Sequence, residues 1–365
     1  MVKVASYLHT AASGNQKMTL IRATITPDST VLVSDIMLTK DQPSPDRKSM
    51  WLIAEGRVDE INYSTSGHMQ KTILFNRRCL FQWAGQMIVA RSIYNFLKLH
   101  IKAPFEEVER LLALEFSSKD LDAVAFSIVR INSGKIEFFG HLGEHVSQGS
   151  TMNWIAGSGA YIADPRNHPA DKTSDETTEG ERLVDEETSD LLVRLYHGEA
   201  GAYVYDPFRA GGWYEVIVIK DQLFHRVPYA VCYYDLDQLE RSGSRDPTLA
   251  VFSRYMNDRL LIHRVWGQNS SSIVNVVKSF KDRFDGAVTE PGRYFLGGLN
   301  SWELVIQVAL RSGDQTVVSR VTQNKVPVDT VEILDINNPK FLASRETEEF
   351  LQQQLERPPS SLSDT

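Results

Sequence analysis

The chain has 365 residues, of which 42% are hydrophobic and 24% are charged, proportions that exclude a disordered or fibrous protein. The formal net charge is −8 and no stripe of Lys and Arg is present, so neither nucleic acid nor an anionic membrane is an expected partner. The sequence also contains neither an apolar run of about 20 residues nor a signal-peptide core, which predicts a cytoplasmic protein of one or two domains.

The first third of the chain predicts strands followed by two helices. Apolar and β-branched residues around a turn predict a hairpin over 19–39, and residues 70–85 predict two more short strands. The polar segment 40–70 between them predicts a loop. Apolar residues at helical spacing then predict one helix over 86–101 and a second over 105–116.

The rest of the chain mixes strands and helices. The predicted elements are, in order, strands over 122–163, an acidic loop over 164–187, a helix over 187–198, strands over 211–235, and a β-rich stretch with one helix near 273–284. This order favours an α+β fold with helices outside antiparallel sheets. We therefore expect four segments: a leader or a start codon placed too early (1–18), a main domain (19–236), a β-rich C-terminal extension (237–345), and a polar helix with a tail (346–365).

Both cysteines of the chain, Cys79 and Cys232, lie in apolar, strand-like contexts. Such contexts are typical of buried free thiols. The sequence therefore predicts neither a disulfide framework nor a cysteine metal site.

Several short motifs occur together at a characteristic spacing. Asp35, in VLVSDIMLT, follows Thr19 by 16 positions, and Lys71 precedes Gly85 of an Ala-Gly pair by 14 positions. Further along, WIAGSGA supplies a Gly-Ser-Gly at residues 157–159. In these motifs the chain resembles the proteasome β-subunit type of N-terminal-nucleophile hydrolase and its bacterial peptidase-ring relatives.

The resemblance covers about residues 19–220 and implies an architecture. In this family the fold is a four-layer αββα sandwich, so we expect that sandwich here, with the β-rich C-terminal extension added. The resemblance also implies a homo-oligomeric ring that takes peptide or protein substrates, with an ATPase unfoldase as a further partner. It implies no metal and no cofactor.

The resemblance also assigns roles to individual residues. Thr19 would be the nucleophile, with its own free α-amine as the base. Lys71 would lower the pKa of that amine, and Asp35 would pair with Lys71 and hold it in place. The backbone N–H of Gly85 would donate to the oxyanion of the tetrahedral intermediate.

Four further family positions give a mixed result. Ser158 matches the serine that orients the amine, and Asp206 matches a supporting carboxylate, but Ala210 stands at or near the position of a supporting serine. Trp83 occupies the position that sets the depth of the substrate pocket. A tryptophan there predicts either a preference for a small substrate residue or a closed, inactive site.

Three functions remain open on this evidence. The first is a threonine peptidase, the second is a catalytically silent assembly or binding protein, and the third is an amidase that acts on a small molecule. Thr19, Asp35, Lys71 and Gly85 favour an enzyme, whereas Trp83 favours the silent protein. Each of these residues taken alone also has a purely structural interpretation, such as a strand threonine or a surface lysine.

The peptidase hypothesis requires Thr19 to be the first residue. Residues 1–17 would then be a propeptide removed by self-cleavage, or translation would begin at Met18. Ordinary removal of that methionine would expose Thr19 directly, because the next residue is small. The sequence therefore predicts that the functional chain starts at Thr19.

Overall fold

The computed structural model describes the following residues: 3–5, 20–26, 30–40, 64–148, 151–157, 192, 213–227, 229–243, 246–256, 259–266, 271–281, 304–310, 317–323, 330–332, 340–342 and 345–356. The chain divides into two compact units. The first comprises Met1–Leu191, Tyr205–Val227 and Lys278–Asp282, and the second comprises Leu192–Val204, Pro228–Val277 and Arg283–Thr365.

Most of the described residues of the first unit lie in strands. Its strands are, in chain order, β1 (Lys3–Ala5), β2 (Ile21–Ile25), β3 (Thr30–Asp35), β4 (Met37–Lys40), β5 (Ser64–His68), β6 (Thr72–Asn76), β7 (Cys79–Gly85), β8 (Val124–Asn132), β9 (Lys135–His141), β10 (Glu144–Gln148), β11 (Thr151–Ala156), β12 (Tyr214–Lys220) and β13 (Leu223–Arg226). Its helices are α1 (Met87–His100), α2 (Phe105–Glu115) and the short α3 (Ser118–Leu121).

Two larger sheets organise these strands. One has five strands in the order β1-β9-β8-β7-β6, with β1 parallel to β9. The other has six strands in the order β10-β11-β2-β3-β12-β13 and is antiparallel throughout. The pairing of β2 with β3 confirms the predicted hairpin, and α1 and α2 confirm the two predicted helices.

Strand alternation explains how the five-stranded sheet is buried on both faces. Along β7, Phe81 and Trp83 belong to an apolar cluster with residues of α1 and α2. Leu80 and Ala84, which lie next to them on the opposite face of the strand, belong to a second cluster shared with the six-stranded sheet. Because successive strand residues point to opposite faces, β7 packs helices on one side and a sheet on the other.

The second unit contains the remaining described elements. They are β14 (Tyr229–Asp235), α4 (Leu236–Ser242), β15 (Leu249–Met256), β16 (Arg259–Trp266), β17 (Ser271–Val277), β18 (Leu304–Leu310), β19 (Val317–Gln323), β20 (Thr330–Glu332), β21 (Lys340–Leu342) and α5 (Arg345–Glu356). A six-stranded sheet in the order β17-β16-β15-β14-β18-β19 is their framework. Phe350 and Leu351 of α5 pack with Phe252 of β15 in its apolar core.

The predicted four-layer αββα sandwich is wrong. The described chain is predominantly β, with three multi-stranded, mainly antiparallel sheets and only five helices. Among the described residues of the first unit, α1 and α2 cover one sheet face and no second helical layer is present. The order of elements constrains the number of layers only weakly, so the fourth layer rested on the resemblance. The helix predicted over 187–198 lies outside the described residues except for residue 192.

Two local predictions are also wrong. Part of the helix expected near 273–284 is the strand β17, which pairs antiparallel with β16. Its run of Ile and Val fits either a helix or a strand pattern, but these residues suit a pleated sheet. Pairing with the neighbouring strand β16 therefore favours the strand over the helix. The loop expected over 40–70 contains β5, which pairs with β4. Residues 41–63 lie outside the described residues.

Candidate active site

Asp35 and Lys71, which are 36 positions apart, form a buried ion pair. The Lys71 Nζ lies 2.7 Å from the Asp35 Oδ1, and neither side chain is exposed to solvent. Asp35 is the last residue of β3, and Lys71 directly precedes β6. The two facing sheets of the first unit therefore each provide one member of the pair.

Asp35 is also bonded to the start of the neighbouring strand. Its Oδ1 accepts a hydrogen bond of 2.9 Å from the backbone N–H of Leu20. Its own backbone N–H donates to the carbonyl of Leu20 at 3.0 Å. Thr19 is covalently bonded to Leu20 but lies outside the described residues. The ion pair is therefore fixed to the residue that follows the predicted nucleophile.

Burial controls the protonation of Lys71. Removal of its ammonium group from water lowers the pKa of Lys71 below the usual 10.5, while the charges of Asp35 and Glu215 and the hydrogen bond to Asp35 act in the opposite direction. A buried lysine whose pKa is lowered is a common feature of catalytic sites and also of structural ion pairs.

Glu215 is a buried carboxylate that contacts the segment around Lys71. Its Oε2 accepts hydrogen bonds from the backbone N–H groups of Lys71 and Thr72, at 3.2 and 3.4 Å. Its Oε1 accepts a bond of 3.0 Å from Gln70 Nε2 and lies 3.7 Å from Arg226 Nη1. Burial raises the pKa of Glu215, and the Arg226 charge is the largest of the opposing effects. Sequence reasoning missed this residue.

A signal for Glu215 exists in the sequence. It is the one charged residue within the apolar run WYEVIVI, which becomes the buried strand β12. Carboxylates are almost never fully buried unless they are paired, so an acid in such a run indicates an internal partner. The sequence does not identify that partner, because Gln70 and Lys71 are more than 140 positions away.

A layer of neutral polar side chains lies between the two facing sheets. Ser34 Oγ and Thr72 Oγ1 are 2.8 Å apart, Gln82 Nε2 donates to Thr72 Oγ1 at 3.2 Å, and Ser127 Oγ donates to Gln82 Oε1 at 3.2 Å. All four side chains are buried. Buried polar groups of this kind stabilise one sheet register only while every partner is present.

Trp83 is fully buried and packs against an aromatic side chain from a distant part of the chain. Its ring stacks on that of Phe280 with 5.0 Å between centroids, and its Nε1 donates to the carbonyl of Gln70 at 3.3 Å. Lys278 brings this segment to the same place, because its carbonyl accepts a 2.8 Å bond from the backbone N–H of Gln70. The space at the predicted pocket position is therefore filled by Trp83 and Phe280.

The backbone at Gly85 admits only glycine. Its φ is +114°, a conformation that L side chains rarely adopt, and a Cβ there would lie 2.3 Å from the carbonyl oxygen of Ala123. That same carbonyl accepts a 3.0 Å bond from the N–H of Gln86, where the chain turns from β7 into α1. The turn alone explains the glycine, so an oxyanion role for its N–H remains a prediction.

The other predicted site residues are not described. Thr19, Ser158 and Asp206 all lie outside the described residues. Of the predicted leader, the structure describes Lys3–Ala5, which pair as β1 with β9. The structure thus brings together Asp35 and Lys71 and places Trp83 beside them, since the N–H of Trp83 donates to the carbonyl of Lys71 at 3.0 Å.

Other kinds of site find little support in the part of the chain that the structure describes. Within it, no group of three or more His, Cys, Asp and Glu side chains is placed to hold a metal ion. Cys79 and Cys232 are buried free thiols, as predicted, and burial raises the pKa of Cys79 to about 12. None of the described helices is both long enough and apolar enough to cross a bilayer.

Comparison with known proteins identifies no family for this chain. Neither a protein-family model nor a curated protein sequence matches this chain.

Proposed function

We propose that the chain is an N-terminal threonine hydrolase that cleaves peptide bonds through Thr19. The single observation that carries the proposal is the buried Asp35–Lys71 pair, whose carboxylate also binds the backbone N–H of Leu20. Thr19 directly precedes Leu20 in the chain, and this connection supports a site in which Lys71 lies near the predicted nucleophile. The chemistry depends on this arrangement of groups and not on the number of layers in the fold.

The proposed reaction is acyl transfer in two steps. The Thr19 hydroxyl attacks the carbonyl carbon of the peptide bond, and its proton passes to the free α-amine of the same residue. The C–N bond then breaks, the leaving amine takes up that proton, and an ester forms on Thr19. Water, deprotonated by the same amine, hydrolyses the ester and regenerates the hydroxyl. An ammonium group at Lys71 would favour the neutral, basic form of the α-amine.

Trp83 and Phe280 suggest the substrate preference. The resemblance places Trp83 at the floor of the pocket for the residue before the cleaved bond, and Phe280 stacks on its indole ring. Two aromatic rings leave little space in such a pocket. We therefore expect substrates with a small residue, such as alanine or glycine, at this position.

The same observations favour a second candidate, a catalytically silent assembly or binding protein. Lys71 and Trp83 have no exposed surface, and Phe280 is only 6% exposed. In this alternative the ion pair and the aromatic stack only stabilise the fold, as buried ion pairs and aromatic clusters do in many proteins. A homo-oligomeric ring in the cytoplasm, fed by an ATPase unfoldase, belongs to the first candidate alone.

Comparison of differently started chains tests the proposal. One chain is expressed from Met18, so that methionine removal leaves Thr19 first, and the other from Met1; intact mass establishes each N-terminus. We expect the chain that begins at Thr19 to hydrolyse a library of fluorogenic peptides. Thr19→Ala should abolish the activity, and Thr19→Ser should retain part of it. A Thr19-first chain that folds and hydrolyses nothing would favour the silent alternative.

A further inference from the structure

Glu215 belongs to none of the predicted catalytic groups, yet it has no exposed surface. Its carboxylate binds the backbone on both sides of the Lys71 Cα: the Lys71 N–H and, by a longer bond, the Thr72 N–H. We propose that Glu215 is a positioning residue that fixes the backbone of Lys71 so that its ammonium group reaches Asp35.

Lys71 needs such support because of its place in the chain. It lies just before β6, so the regular ladder with β7 does not yet include it, although its carbonyl accepts from the N–H of Trp83 at 3.0 Å. Glu215 supplies the bond on the other side, to the Lys71 N–H at 3.2 Å. A lysine side chain has four rotatable bonds, and holding its backbone limits where Nζ can lie. The 2.7 Å contact with Asp35 follows from this restriction.

A carboxylate suits this position better than an amide. Both of its oxygens accept hydrogen bonds: Oε2 serves the two backbone N–H groups, and Oε1 serves Gln70 Nε2 and faces Arg226. A glutamine would turn an NH₂ group toward one of these two sets of donors. One set would then lose its acceptor within a buried site.

Acidic side chains from two strands of the described chain face Lys71. Among the described residues, the charged groups that face it are Asp35 from β3 and Glu215 from β12, and Arg226 from β13 faces Glu215. Replacing Glu215 by a neutral residue removes one negative charge from this set. The ammonium form of Lys71 then loses support, so its proton should dissociate at a lower pH.

The test is Glu215→Gln in the full-length chain, followed by NMR of the Lys71 side chain (¹³Cε) and amide. We expect the Lys71 pKa to fall by about one unit, as for the loss of a nearby opposite charge, and the Lys71 and Thr72 amides to exchange faster with solvent. Gln82→Met is the matched control, because Gln82 is buried in the adjacent polar layer and contacts Thr72 but not Lys71. That variant should leave the Lys71 pKa unchanged. If Glu215→Gln does not fold, Glu215→Asp tests the backbone contacts alone: it retains the charge but withdraws the carboxylate by one methylene, so the Lys71 and Thr72 amides should still exchange faster with solvent.

The catalytic consequence rests on the proposed function. In a Thr19-first chain, Glu215→Gln should lower kcat about tenfold with little change in KM, because the group affected does not bind substrate. An unchanged Lys71 pKa and unchanged amide exchange would overturn the inference while leaving Thr19 chemistry intact. The expected NMR changes in a chain without hydrolytic activity would support the positioning role and count against the proposed function.

Discussion

The two faces of β7 differ in chemistry: one carries aromatic side chains, and the other carries the polar Gln82 between the apolar Leu80 and Ala84. Phe81 and Trp83 face an aromatic cluster beneath the helices, whereas Gln82 faces the polar layer that continues toward Thr72 and Lys71. The aromatic face is stabilised by burial, which tolerates exchange of one apolar group for another. The polar side depends on individual partners, so a substitution there should alter both protonation and stability.

The largest expected effect on the polar side is that of Lys71→Met. It leaves the Asp35 carboxylate buried without its cation and should lower the free energy of unfolding by about 3–5 kcal/mol. The double variant Asp35→Asn/Lys71→Met should recover much of this loss, because no uncompensated charge remains. Urea denaturation followed by tryptophan fluorescence measures both, with the exposed Lys220→Met as a control. Equal losses in the single and double variants would show that the charges are not coupled.

On the aromatic side, Phe280→Ala tests whether this face limits the size of the substrate residue. It removes the ring stacked on Trp83 and should open the space at the proposed substrate pocket. In a Thr19-first chain, kcat/KM for a peptide with leucine before the cleaved bond should rise about tenfold or more relative to the alanine peptide. Phe105→Ala, in the same cluster but with its ring packed at a tilt against Phe139, is the matched control and should leave that ratio unchanged. An unchanged ratio in Phe280→Ala would mean that this ring does not limit a substrate pocket.

The smallest expected effect is a dependence of stability on pH through Glu215. Burial raises its pKa above the usual 4.5, so the folded chain binds this proton more tightly than the unfolded chain. From about pH 4.5 up to the pKa in the folded state, its contribution to the free energy of unfolding therefore falls as pH rises.

Glu215→Gln should remove this contribution. The stability of the wild type relative to this variant should decrease with rising pH, by at most about 1.4 kcal/mol per unit. Glu107→Gln is a control of opposite sign, because Arg110 lowers the pKa of the exposed Glu107. Urea denaturation between about pH 4 and pH 7 measures the difference, and a flat or rising difference would contradict the assigned cause.

Local elements were predictable where pattern and chain order were sufficient. The β2–β3 hairpin and the helices α1 and α2 follow from periodicity and from Pro104 at the start of α2. The strand β17 was predicted as helix, because a dense run of Ile and Val fits either period until a neighbouring strand is present. The number of layers depends on long-range packing, which single-sequence patterns do not report.

The candidate site was predictable only in part, because several of its contacts join residues that are far apart in the sequence. The family resemblance implied that Asp35 pairs with Lys71, and the structure places the two side chains in contact. Glu215 and Phe280 were missed because their partners lie far away in the sequence, at Lys71 and Trp83. Neither the apolar run around Glu215 nor the polar segment around Phe280 identifies the strand against which the residue packs.

The central claim is that Thr19 is a nucleophile activated beside the Asp35–Lys71 pair. Its most direct test is to treat the Thr19-first chain with a peptide epoxyketone that has alanine at the reactive end, and to map the adduct by tandem mass spectrometry. The claim predicts a stoichiometric adduct on Thr19, absent in Thr19→Ala and formed much more slowly in Lys71→Met at a temperature where that variant is folded. A folded Thr19-first chain that forms no adduct, or forms it at another residue, would contradict the claim.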